Sequence, residues 1–204
     1  MTAVLGPGAV PAPGRIGPNA IIRVAEVLPA FVGTAATWQL FERAGLARYL
    51  RTPPEGMVDE TEVMRLHGEL RASLGGAAAA EVARQAGLRT ADYLLGHRIP
   101  RPVQRLLKIL PARLAARVLL QAITRHAWTF AGSGRFRARA GTPVVLEIRD
   151  NPLCRGVHAD APVCDFYAAT FERLFRVLVH PAAGVQEVAC EARGDDACRF
   201  ELRW

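Results

Sequence analysis

Apolar residues recur at helical spacing through the first two-thirds of the chain and then switch to alternation. Residues 19–28 and 34–50 predict two helical segments interrupted at Pro29, and Pro53, Pro54 and Gly56 place a loop after them. Asp59 stands at an N-cap position ahead of Val63, Leu66 and Leu70, which fall on one helical face. Residues 77–87 predict an Ala-rich helix stopped by Gly87, with Thr90 capping a shorter one that ends near Gly96. Residues 100–124 continue helically around Pro111, and Val103, Leu106, Leu107, Leu110, Leu114, Val118, Leu119 and Ile123 make an apolar face.

From residue 135 the period is two. Arg135, Arg137 and Arg139 alternate with Phe136, Ala138 and Ala140, and residues 144–149 are a β-branched run. Residues 162–180 return to helical spacing, with Phe166, Phe171, Leu174, Phe175 and Leu178 on or near the buried side. Two last strands, 185–192 and 197–203, are joined around Arg193, Gly194, Asp195 and Asp196, which have hairpin-turn chemistry. Helices first, then strands around one more helix, make an α+β pattern. Residues 1–18 contain eight Gly or Pro without periodicity and read as a flexible leader, leaving 19–204 as one domain, helical over 19–127 and α+β over 128–204.

Composition narrows the class. With 50% hydrophobic residues among 204, the chain is too apolar to stay disordered. The longest apolar stretches, 21–40 and 112–123, are broken by Arg23 and Glu26 or by Arg113 and Arg117, so no run of about 20 uncharged residues remains to span a bilayer. The N-terminus lacks the cationic and apolar regions of a secretory signal, and a cytoplasmic location is expected. Charge is uneven. Net charge is +7, yet no Asp or Glu occurs from Tyr93 to Leu146, where ten cations lie: Arg98, Arg101, Arg105, Lys108, Arg113, Arg117, Arg125, Arg135, Arg137 and Arg139. Such a face suits an anionic membrane surface, an acidic protein or a carboxylate-bearing small molecule. Nucleic acid is the weaker reading of the same face and is not expected as a partner, because no DNA- or RNA-binding signature is present and aromatics are only 7%.

All four cysteines, Cys154, Cys164, Cys190 and Cys198, lie in the last 51 residues. Without a Cys-x-x-Cys pair, zinc-ribbon and ferredoxin spacings are absent. A hairpin turning about Gly194 would set Cys190 opposite Cys198, where two thiolates can share a tetrahedral zinc. Cys154 and Cys164 are further ligand candidates. Glu187, three residues before Cys190, reaches the same metal only if a bulge or strand end intervenes. Small buried residues or a disulfide are the other readings of these cysteines.

The segment Cys164, Asp165, Phe166, Tyr167, the helix after it, and residues 187–200 resemble the 4-vinyl reductase domain. Residues 87–95 and Arg98, Ile99, Pro100 resemble its bacteriochlorophyll-biosynthesis members, and the likeness covers 19–204. The domain is also similar to the sensor modules of aromatic-responsive activators, whose Cys…Glu-x2-Cys-x7-Cys pattern binds structural zinc. The resemblance implies Cys164, Glu187, Cys190 and Cys198 as ligands, Cys154 as a non-ligand, and an antiparallel sheet packed against helices, expected as a homodimer. Four protein ligands close the shell, so such a zinc holds structure and does not activate water.

The resemblance further implies a role on a magnesium tetrapyrrole, such as a magnesium-porphyrin or chlorophyllide intermediate. The family name asserts reduction of a ring vinyl group, but that step needs an electron source, and no Gly-x-Gly-x-x-Gly follows a strand. The expectation is therefore a pigment-binding accessory or carrier protein, working beside other bacteriochlorophyll enzymes, with peripheral contact at the inner face of the photosynthetic membrane as a further expectation. The alternatives are the vinyl reductase itself and a ligand-sensing or docking module. For the pigment, His97 and His126 are candidate axial ligands of magnesium, Trp128 and Phe130 offer flat apolar faces, and Arg98, Arg101 and Arg105 suit propionate pairing. His67, His158 and His180 carry less signal.

Overall fold

The computed structural model describes residues 14–204. The first thirteen positions of the expected leader lie outside them; after Gly14, β1 (Arg15–Ile16) pairs with β2 (Val58–Asp59) in a short antiparallel ladder. Between these strands run α1 (Asn19–Val27), α2 (Pro29–Arg43) and α3 (Arg48–Arg51). Two glycines at positive φ break this helical stretch, Gly33 inside α2 and Gly45 ahead of α3. Asp59 caps α4 (Glu60–Leu74) as its position predicts, accepting from the Thr61 N–H at 2.8 Å.

The next helix departs from the expectation. α5 (Gly76–His97) runs unbroken through Gly87. Thr90 is no cap; it is buried and donates to the Ala86 carbonyl at 2.9 Å inside the helix. Gly87 marks a close approach instead. A Cβ there would sit 2.3 Å from the carbonyl oxygen of Phe166 in α9 (Asp165–Leu178), and Thr170 of α9 donates to the Gly87 carbonyl at 3.1 Å.

α6 (Arg101–Ile109) and α7 (Ala112–Arg125) are separate helices divided at Leu110 and Pro111, and a short α8 (Trp128–Ala131) follows. Their apolar residues do not share one buried face. Leu107, Leu119 and Ile123 are buried, whereas Val103, Leu106, Leu114 and Val118 face solvent.

β3 (Arg135–Arg139), β4 (Val144–Arg149), β5 (Gly184–Ala189) and β6 (Cys198–Arg203) form one antiparallel sheet in the order β3-β4-β6-β5. Val144, Leu146 and Ile148 face Leu202, Phe200 and Cys198 across the central pair, and all six are buried. This side of the sheet meets α9, where Phe171 packs edge-on to Phe200 at 5.5 Å. Sheet, α9 and α5 thus form successive layers, an α+β architecture with an antiparallel sheet against helices. β5 ends at Ala189, short of the expected residue 192, because the chain enters a 3₁₀ turn, Glu191–Arg193, closed by Gly194 at φ 91°.

Candidate metal centre and adjoining cavity

Four segments deliver the cysteines to one point. At the end of β4, Asp150 takes a positive φ, and Asn151 caps a 3₁₀ turn, Pro152–Cys154, by accepting from the Leu153 N–H at 3.0 Å. The Glu191 carboxylate pins this corner by accepting from the N–H groups of Asp150 (2.7 Å) and Asn151 (2.8 Å). Cys164 immediately precedes α9, Cys190 follows β5 and Cys198 opens β6.

All four side chains are buried, and their sulfurs lie within 4.8 Å of one another. Cys154 Sγ is 3.4 Å from Cys164 and Cys198 and 3.7 Å from Cys190, Cys164 is 3.5 Å from Cys198, and Cys190 is 4.0 Å from Cys198. A disulfide needs about 2.05 Å. A tetrahedral ion with metal–sulfur bonds of ~2.3 Å spaces its sulfurs roughly 3.8 Å apart, within the observed spread. The four cysteines are free of disulfides and form a group able to hold a metal ion.

Donors are aimed at the sulfurs. Asn151 Nδ2, fully buried, donates to Cys164 Sγ and Cys198 Sγ at 3.2 Å each, and the Glu191 N–H points to Cys198 Sγ at 3.5 Å. Burial pushes the Cys164 thiol well above its ordinary range, so a cation is what this site needs to hold ionised sulfur.

The cysteine cluster differs in membership from the ligand set that the resemblance implies. Cys154, set aside by the resemblance, stands inside the cluster, because the 3₁₀ turn after β4 folds it back onto Cys164 and Cys198. Glu187 faces inward opposite buried Phe200, and the bulge between Glu187 and Ala189 brings Cys190 to the same side, but Glu187 Oε2 accepts from the Cys164 N–H at 2.9 Å, at the rim of the sulfur cluster. Its Oε1 is buried without a partner, and burial with the neighbouring Cys190 pushes the carboxyl up to about 9.

Cys154 and Cys164 bracket residues 155–163, and this loop is one wall of a cavity of about 820 Å³. The other walls are α4, through His67 and Arg71, and the small residues of α5, Gly76 to Ala83. His67 is fully buried, directs Nε2 to the Ala20 carbonyl at 3.3 Å and meets the Phe166 ring edge-on. Burial and the nearby Arg71 charge push its pKa down to about 4, so the imidazole is neutral. With Nε2–H donated, Nδ1 keeps its lone pair.

The side chains expected around a pigment are not those lining this cavity. His97 is exposed, stacked on Tyr93 at 4.7 Å with Nδ1 on the Tyr93 carbonyl. His126 is exposed with Nδ1 2.8 Å from the Ala122 carbonyl. Arg98, Arg101, Arg105 and Trp128 face solvent, and Phe130 packs on Phe136, Tyr167 and Phe171. The continuity of α5 is the reason: His97 lies fourteen residues beyond Ala83, roughly 21 Å along the helix. Nothing local in the sequence distinguishes His67, Arg71 and the alanines of α5 from core residues, so no signal marks them as cavity residues.

Residues 144–204, which contain the whole cluster, match the family model described as the V4R domain. The chain is 49% identical over 188 residues to the bacteriochlorophyll synthase 23 kDa chain of Cereibacter sphaeroides, covering 92% of this chain and 90% of that protein. It belongs to that family. A second member, from Rhodobacter capsulatus, is 42% identical over 199 residues, covering 96% and 92%. As a fold, this member of the 23 kDa chain family is similar to a solved H-NOX domain studied for heme distortion, at 13% identity and a TM-score of 0.57 over 93% of this chain and 95% of that one.

Proposed function

We propose that this chain is a tetrapyrrole-binding accessory protein of bacteriochlorophyll biosynthesis, which takes a magnesium porphyrin or chlorophyllide-type intermediate into the cavity between α4, α5 and the 155–163 loop and presents it to other enzymes. The observation that carries the reading is that cavity: at about 820 Å³ it falls in the range of small-molecule and cofactor sites, with mostly small apolar walls and a few fixed polar groups. Family membership gives the chemical context through the relatives' name. The H-NOX likeness adds that a fold of this class accommodates heme in that domain.

Roles follow from position. Arg71 is half-buried at the cavity and suits a propionate. His67 is kept neutral by burial and the Arg71 charge and oriented by the Ala20 carbonyl, and His158 lies on the wall formed by the loop; these two carry the nitrogens offered to magnesium. Zinc is the ion that best suits four buried thiolates in a near-tetrahedral array, and with its shell closed it would brace the loop through Cys154 and Cys164. On this reading Cys154→Ser lowers zinc retention as far as Cys164→Ser does, whereas Glu187→Gln leaves the ion bound; elemental analysis of the purified variants checks it.

The central test is a titration of the metal-loaded protein with a divinyl magnesium porphyrin. Micromolar binding with a shifted absorption band, weakened at least tenfold by Ala80→Phe at unchanged circular dichroism and zinc content, is the expected result. No shift, or a shift indifferent to Ala80→Phe, would overturn the cavity assignment. Turnover of the vinyl group by this chain alone with a nicotinamide or reduced ferredoxin would replace the carrier by the reductase.

A further inference from the structure

Nine large hydrophobic side chains are exposed among the described residues, and six of them fall between residues 103 and 128: Val103, Leu106, Ile109, Leu114, Val118 and Trp128. Ile109 is 79% exposed and Trp128 60%. They are ordered, not scattered. Val103, Leu106 and Ile109 follow one another at three-residue steps along α6, and Leu114 and Val118 are one turn apart on α7. The opposite sides of these helices hold the protein, through Leu107 on α6 and Ala115, Leu119 and Ile123 on α7.

Cations run beside the apolar stripes: Arg101, Arg105 and Lys108 on α6, Arg113, Arg117 and Arg125 on α7. All are exposed, and no ion pair among the described residues involves any of them. Elsewhere the arginines are commonly paired, as in Arg43 with Glu69 or Arg173 with Asp92. The absence of any acid from Tyr93 to Leu146 removes every local partner.

We propose that the exposed faces of α6 and α7, with Trp128, dock on an anionic lipid surface. Aliphatic side chains beside a stripe of unpaired cations, with a Trp at the edge, are the makings of an interfacial helix: the apolar groups enter the headgroup boundary while the cations meet lipid phosphates. A lipid surface is negative and apolar over its whole extent, so it complements two long stripes without matching any one residue. An acidic protein would answer the charge but must also supply an apolar groove along both helices. The bilayer is the simpler complement, and the surface is independent of pigment binding.

Co-sedimentation of the metal-loaded full chain with vesicles decides the matter. The protein is expected to pellet with phosphatidylglycerol-containing vesicles at low salt and to stay in solution with phosphatidylcholine alone. Leu106→Ser with Ile109→Ser, and separately Arg113→Glu with Arg117→Glu, should each weaken binding roughly tenfold or more. All four positions are exposed, so circular dichroism and zinc content should remain those of the parent. Failure to pellet with anionic vesicles, or binding that survives both pairs of substitutions, overturns the proposal, and so does salt-sensitive capture by an acidic protein without any vesicle binding.

Discussion

Glu60 carries a carboxylate into the interior at the start of α4, where it is only 3% exposed. It is satisfied there: the Ser133 N–H and hydroxyl donate at 2.8 and 2.6 Å, and Arg155 pairs with it. Burial by itself would raise this carboxyl, but those donors hold it below its ordinary value. Since Arg155 directly follows Cys154, Glu60 ties the helical half to the metal corner. Glu60→Ala should cost about 2 to 3 kcal/mol, because it leaves Arg155 and Ser133 with unmet donors; urea unfolding measures it. His67 makes a prediction in pH. Its neighbours are the Ala20 carbonyl, the Phe166 ring and the Arg71 charge, and its pKa is pushed down to about 4 from an ordinary value near 6.5. Between those values the unfolded chain binds a proton that the folded chain refuses. Stability is therefore full above pH 6.5 and falls by up to about 3 kcal/mol as pH drops towards 4. His67→Gln should flatten that part of the pH–stability curve. Neither residue was legible as special in the sequence, for a Glu in a first turn and a His on a helix read as ordinary until the far ends of the chain close over them.

At the scale of elements, local signals did well where the deciding interactions are local. Asp59 caps α4, residues 135–139 and 144–149 are strands, and a helix fills most of 162–180. Gly87 misled because a glycine that ends a helix and a glycine that admits a neighbouring backbone look alike in sequence. The two roles predict opposite outcomes. Gly87→Ala drives a methyl into the Phe166 carbonyl at 2.3 Å and should destabilise by about 2 kcal/mol or more, whereas Gly96→Ala, with nothing within 4 Å of its Cβ, should stabilise by up to about 1 kcal/mol. Paired thermal melts of the two variants give the comparison. The apolar residues of 100–124 were likewise visible as a pattern, but periodicity cannot say which side of an amphipathic helix is covered. Leu119 and Ile123 found neighbours, and Leu114 and Val118 did not.

At the scale of the whole molecule, the cysteine cluster joins the end of β4, the start of α9 and the β5–β6 turn, and the loop between Cys154 and Cys164 walls the cavity. With zinc in the cluster, as proposed, a chelator under reducing conditions should therefore do two things together. It should lower the melting temperature by about 10 °C or more, and it should expose residues 155–163 to protease while weakening pigment binding. Loss of metal with an intact loop and unchanged pigment affinity would separate the centre from the cavity.

The chain's own order of residues determined its helices and strands, the hairpin that brings Cys190 near Cys198, the acid-free basic stretch and the family likeness, all of which depend on neighbours a few positions apart or on motifs that survive as strings. Only the tertiary structure decided that Cys154 joins the sulfur cluster with Glu187 at its rim, that the cavity belongs to α4, α5 and the loop, and that the α6–α7 stripes stay uncovered. Those outcomes depend on which distant surfaces meet when the sheet closes on α9, and no local pattern encodes that meeting.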